Sequence, residues 1–168
     1  MIKKLVLLLM LIAPISIFAQ KFGHVNTANI IKVMPEFNKA QTDLQSLQKQ
    51  YSEDLKRLES EFSKKNEEYK TQAETLPANI KARREAELQD LYTRLQQAAK
   101  DSETALQKAS QEKFAVITEK ISTALDAIGK EGGYIYIFDL SSQTAPAFVN
   151  ETLSTSLDAQ LKAKLGLK

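Results

Sequence analysis

The chain has 168 residues, of which 26% are charged and only 7% aromatic, with 5 Gly, 4 Pro and no Trp. That composition suits one domain built on long, water-exposed helices better than a thick globular core. One His and no Cys exclude a zinc or iron site of ordinary composition and leave almost no room for a Cys or Ser-His-Asp nucleophile.

Met1-Ile2-Lys3-Lys4 and the apolar run from Leu5 to Ile12 read as the charged and hydrophobic regions of an export signal. Pro14 breaks the run, and Ile17-Phe18-Ala19 offers a cleavage site before Gln20. The competing reading, a membrane anchor, is disfavoured because a spanning helix needs about 20 apolar residues. Without a cysteine there is no lipid-modified anchor either. Residues 1–19 are therefore expected to be a cleaved signal peptide, and the protein to be exported and soluble. Lys3 and Lys4 leave with it, so the 23 basic residues fall to match the 21 acidic ones. A neutral processed chain argues against nucleic acid as a partner, since phosphate binding needs a basic footprint.

Phe22-Gly23-His24-Val25-Asn26 then reads as a short strand, and Asn26 or Thr27 as the cap of a short helix through Ile30, Ile31 and Val33. Pro35 suits the first turn of a long helix expected from Glu36 to about Thr75. Along it Leu44, Leu47, Tyr51, Leu55, Leu58, Phe62, Asn66, Tyr69 and Ala73 alternate spacings of three and four. On the return side the same rhythm runs from Ile80, Arg84 and Leu88 through Ala99, Ser102 and Lys113 to Ile128. Both stretches repeat every eleven residues, about 3.67 per turn, which favours a nearly straight or slightly right-handed helix pair. Leu76-Pro77-Ala78-Asn79 between them predicts the turn, with Asn79 capping the return helix. Ala99 and Ser102 should lie opposite Leu55 and Leu58 and let the helices approach closely. The polar positions Asn66, Arg84 and Lys113 interrupt both seams and are expected to leave the arms able to splay.

Gly129-Lys130-Glu131-Gly132-Gly133 stops the return helix. It lacks the spacing of a phosphate-binding loop and precedes a strand, so it carries no nucleotide reading. Tyr134 to Phe138 is the clearest strand; being apolar throughout, it predicts cover on both faces. Pro146 to Asn150 reads as a further short strand, and Asn150 or Thr152 as the cap of a last helix through Leu153, Leu157, Leu161 and Leu165 to Gly166. The fold class is thus mostly helical with a small β unit. A long antiparallel helical-hairpin arm (44–128, turn near 76–79) is inserted in a β body made of 20–43 and 129–168. So few short, apolar strands make no stable isolated sheet, and self-association of the body follows.

No catalytic constellation emerges. His24 reads as an ordinary strand residue rather than a lone base, the carboxylates as solvated helix faces, and Asn150-Glu151-Thr152 as a chance sequon; no cofactor is expected. Lys64, Lys65, Lys70, Lys81, Arg83 and Arg84 around the turn outnumber Glu67, Glu68, Glu74 and Glu85. This basic tip is either a solvated end or a weak, salt-sensitive attraction for anionic lipid headgroups or acidic partners.

With Phe22-Gly23-His24-Val25-Asn26 and Met34-Pro35-Glu36-Phe37 early and Gly133 to Asp139 late, the order of parts resembles the Skp (OmpH-like) family of periplasmic chaperones over essentially the whole processed chain. The resemblance implies a homotrimer whose strands form a β body and whose three hairpins enclose a cavity for unfolded outer-membrane proteins. It implies that Phe22, Val25, Tyr134, Ile135, Tyr136, Ile137 and Phe138 belong to the body and its subunit contacts. It also implies a periplasmic holdase that works without ATP and is no enzyme. Family bodies and tips are commonly basic, whereas this processed chain is neutral. Two other classes remain: a periplasmic adaptor docking on a membrane channel, and a structural coiled-coil spacer of the envelope.

Overall fold

The computed structural model describes residues 20–167, so the expected signal peptide lies outside the described residues. In chain order the elements are β1 (Lys21–Val25), α1 (Thr27–Val33), α2 (Pro35–Gln72), α3 (Ala78–Gly132), β2 (Tyr134–Asp139), β3 (Ser154–Ser156) and α4 (Asp158–Lys164). The strands form one sheet of order β2-β1-β3, and both pairings with β1 are parallel. Parallel neighbours require crossovers. Between β1 and β2 the crossover is the pair of long helices; between β2 and β3 it is the connection 140–153.

Local chemistry sets the helix ends. Asn26 caps α1 by accepting from Asn29 N at 3.1 Å, and Pro35 occupies the first turn of α2. At the far end Pro77, not Asn79, is the cap of α3: its carbonyl accepts from Ile80 N and Lys81 N, while no side chain caps the helix. Proline's fixed φ already suits helix entry, which leaves Asn79 inside the first turn. Gly133, at φ 67°, closes α3 in the left-handed conformation that glycine adopts without a Cβ clash.

The 38 residues of α2 and 55 of α3 correspond to about 57 and 82 Å of helix. Side chains on the two helices meet in opposite order: Glu36 with Lys120, Phe37 with Phe114, Asp43 with Lys113, Phe62 with Tyr92, Tyr69 with Glu85. The excess length of α3 runs past the start of α2 and enters the core. There Ile117, Ile121, Ala124 and Ile128 join Val25, Ile30, Met34, Ala40, Leu157 and Leu161 in one buried cluster.

Away from that cluster packing thins. Every predicted seam position of α2 from Leu44 to Ala73 is half-buried and none fully buried. On α3 the seam holds from Leu88 onward with Leu91 buried, but Ile80, Arg84 and Ala99 are exposed. Ala99 and Ser102 do not draw the helices together. They line an open groove with Tyr51, Leu55 and Leu106, because larger contacts at Phe37–Phe114 and Phe62–Tyr92 set the separation on either side. Lys113 is not a gap in the seam: its ammonium lies 2.7 Å from the Asp43 carboxylate and ties the helices together. Arg84 turns to Glu87 on its own helix. Of the polar interruptions only Asn66 stays half-buried without such a tie among the described residues.

The C-terminal part departs from the sequence reading. Pro146 to Asn150 forms no strand, and α4 begins only at Asp158, while Ser154–Ser156 pairs with β1. Leu157 explains the late start: its N–H donates to His24 O, continuing the ladder, and its side chain enters the core. Residues 154–156 are spent on strand pairing rather than on a helix turn.

Gly23 faces this core. A methyl group there would sit 2.6 Å from Leu157 Cδ1, and Leu157 is fully enclosed. Gly23→Ala is expected to destabilise the protein by about 1–3 kcal/mol, and Ile128→Ala by about 2–5 kcal/mol. Leu55→Ala, in the open arm, should cost less than either. Urea unfolding followed by circular dichroism ranks the three.

Candidate functional site: the open face of the sheet

Alternation along the strands sends Gly23, Val25 and Ile137 toward the core and leaves Phe22, His24, Tyr136 and Phe138 on the opposite face. The register sets Phe22 beside Tyr136 and His24 beside Phe138. Rings of Phe22 and Tyr136 stack with centroids 6.4 Å apart, and those of Tyr136 and Phe138 at 6.0 Å. Among the described residues no helix covers this row. The connection 140–153 crosses it only in part, so that Phe22, Phe138, Pro146, Phe148, Val149 and Leu153 enclose a shallow apolar pocket.

Exposure measures how incomplete the cover is. Tyr136 is 61% exposed, Phe148 79% and Leu153 76%. Contiguous exposed apolar surface of this kind is the general mark of an interaction site. The expectation that β2 is covered on both faces therefore fails within one chain, because one face meets the core and the other meets solvent. Ile135, half-exposed, stands at the free edge of β2 beside Leu125 and Gly129 of α3.

The structure thus sorts the residues singled out from the sequence. Phe22, Tyr136 and Phe138 come together on the open face. Val25 is fully buried in its own chain's core, and Tyr134 and Ile137 pack against that core. Phe148 and Leu153 belong to the face yet escape sequence reasoning. The apolar run at 146–149 was the available signal, but read as a strand it pointed to pairing, and Leu153 fitted a helical period.

Polar groups pin the rim of this face. The Asp139 carboxylate accepts from Thr27 N at 3.2 Å, from Thr27 Oγ1, and from Ser141 N and Oγ at 2.9 and 2.7 Å. Asp158 accepts from Asn26 N at 2.8 Å. Two carboxylates thus meet the N-terminal end of α1, where backbone amides are free and the helix dipole favours negative charge. Burial pushes the Asp139 carboxyl up, but the hydrogen bonds from Thr27 and Ser141 outweigh it and hold the group below its ordinary value.

His24 Nδ1 lies 2.9 Å from Ser154 Oγ. Among the described residues no carboxylate hydrogen-bonds to the ring, so the pair has no third group to orient it for nucleophilic chemistry.

At the far end of the long helices, three of the six basic tip residues pair locally, with two carboxylates. Lys70 pairs with Glu67 at 2.9 Å, and Arg83 and Arg84 both reach Glu87, at 3.3 and 3.0 Å. The Arg84 hydrogen bond, reinforced by the charges of Arg84, Arg83 and Lys65, keeps the Glu87 carboxyl below its ordinary value against the upward push of burial. Among the described residues Lys64, Lys65 and Lys81 make no ion pair. Lys65 and Arg84 flank a small cleft with Tyr69, Leu76 and Leu88.

Because Asp139 binds its proton more weakly when folded, its stabilising effect is present above the ordinary carboxylate range and lost as pH falls through it. Asp139→Asn should lower stability at pH 7 by about 1 kcal/mol, the group being only part-buried and two of its hydrogen bonds lying at the exposed Ser141 side. The gap to the unaltered protein should close below about pH 4. Thermal melts of both proteins across that range provide the check.

No curated protein matches this chain. The family model described as outer membrane protein (OmpH-like) matches residues 21–159, spanning all three strands and both long helices. The chain therefore belongs to the OmpH-like family.

Proposed function

We propose that this protein is an ATP-independent periplasmic holdase that keeps unfolded outer-membrane proteins from aggregating. The family match over residues 21–159 carries the reading. On this reading residues 1–19 are a signal peptide cleaved near Ala19-Gln20, and the chain works as a homotrimer. Its body comprises 20–43 and 129–168, and 44–128 is an antiparallel hairpin arm bounding a shared cavity. The open aromatic face supports self-association: covering Tyr136, Phe138, Phe148 and Leu153, with the half-buried Phe22, by other copies would remove from water a contiguous set of large apolar side chains. Order β2-β1-β3 also leaves β2, with its apolar side chains, at an edge.

A holdase stabilises unfolded client by mass action through many weak contacts. The thin packing of the arm, half-buried along its whole outgoing seam, suits a surface that adapts to clients of different size. The tip contributes little long-range attraction, since Glu67 and Glu87 already pair three of its six cations. Any contact with anionic lipid through Lys64, Lys65 and Lys81 is then weak and salt-sensitive.

Native mass spectrometry of the processed chain, alone and after dilution of a denatured β-barrel membrane protein into it, tests the reading. A trimer that takes up one client is the expected result. A monomer that ignores the client overturns it, and retention of one folded partner instead would favour an adaptor. Tyr136→Glu, which places a charge in the aromatic row, should abolish the trimer while circular dichroism retains the helical signal.

A further inference from the structure

His24 is the chain's one histidine, and it stands at the middle of the open face. Strand β1 is central, so the residue lies between Phe138 on β2 and Ser156 on β3, with Phe22 two positions earlier on the same side. Its Nδ1 is engaged by Ser154 Oγ. The other ring nitrogen must be met by water or by whatever covers the face.

The charged and titratable groups nearby are turned elsewhere. Asp139, at the end of β2, is committed to Thr27 and Ser141; Asp158 on α4 is committed to Asn26 N. Lys21 at the start of β1 donates to Gly132 O and lies over the Tyr134 ring. Tyr136 shares the face but is stacked between Phe22 and Phe138. β3 presents only the hydroxyls of Ser154 and Ser156 beside His24. Among the described residues nothing anionic stands ready to compensate a proton on the ring.

We infer that His24 makes association of this face sensitive to protonation: a second copy of the chain covers the neutral imidazole and is repelled by the imidazolium. The inference rests on the reading that the open face is where copies meet. Covering a cation with aromatic surface removes its water without supplying a partner. Symmetry multiplies the effect, since every copy brings the same histidine to the same interface. Imidazole is also the side chain whose ordinary charge change falls between pH 5 and 8. The sign follows from linkage: association favours the unprotonated ring, so it is strongest above the imidazole range and weakens as pH falls below it.

Sedimentation equilibrium and native mass spectrometry at pH 7.5, 6.5 and 5.5 test this on the processed protein, His24→Asn and His24→Phe. Asparagine keeps a polar atom for Ser154 and loses the titration; phenylalanine extends the aromatic row. The unaltered protein should dissociate more readily in acid, by up to about tenfold per chain per pH unit below the imidazole range. Both variants should hold their assembly across the same range, with circular dichroism unchanged. Assembly of the unaltered protein that ignores pH overturns the inference and leaves the association reading intact. An acid-induced loss shared equally by His24→Asn and His24→Phe also overturns it. A chain that stays monomeric at pH 7.5 overturns both.

Discussion

Val25, Ile30, Ile117, Ile128, Leu157 and Leu161 meet in a single enclosed cluster, and each side of it is supplied by a different element. The sheet contributes one face, α1 and α4 close two flanks, and the last turns of α3 form the floor. Each such side chain contributes about 1.5–3 kcal/mol when removed from water, and elsewhere among the described residues only Leu91 is a buried hydrophobic. Two helices of 38 and 55 residues are therefore held by their bases. The overhang of α3 beyond the start of α2 makes this possible, since it lets one helix belong to the core for several turns while the other departs at once. The carboxylates of Asp139 and Asp158 add a polar pin, holding the start of α1 against the end of β2 and the start of α4.

From that base outward the pair of helices loosens in steps. Phe37–Phe114 and the Asp43–Lys113 ion pair tie them near the body, and Phe62–Tyr92 and Tyr69–Glu85 tie them near the turn. Between these ties Ala99 and Ser102 leave a groove against Tyr51 and Leu55. A side chain too small to fill the space between helices held apart elsewhere yields a gap rather than a closer approach. A helix pair of this kind has little apolar area of its own to bury, and much of its surface is not committed to internal packing.

The sheet has the opposite imbalance: its core face is satisfied and its outer face is not. Three short strands cannot supply two closed layers, and the crossing segment 140–153 brings Pro146, Phe148 and Leu153 over the row without closing it. Aromatic rings on the outer face make burial favourable, and His24 in their midst makes the same burial conditional on its charge. Affinity and its control would then reside in adjacent side chains of β1.

The sequence alone determined the elements whose signal is local. Eleven-residue periodicity marked both long helices and nearly every seam position. Pro35 and Pro77 marked where helices start, and the apolar run at 134–138 marked β2 up to its last residue. The run Gly129–Gly133 marked a stop that the structure places only at Gly133, with α3 continuing through Gly132. The order of these parts was enough to point to the family. Tertiary structure alone decided which of the apolar strand residues serve the core and which remain open, because a run apolar at every position carries no alternation to distinguish its faces. It also decided that Lys113 is a tie and not a gap, since Asp43 lies seventy positions away in the chain and opposite it in space. It placed β3 at Ser154–Ser156, where a lone β-branched Thr155 between two serines is too short a signal to announce a strand, because the requirement met there is a backbone one. Leu157 had to enter the core, and the residues before it were left in register with β1. Periodicity is written in neighbours along the chain; the two sides of a sheet are assigned only when the rest of the chain has folded against one of them.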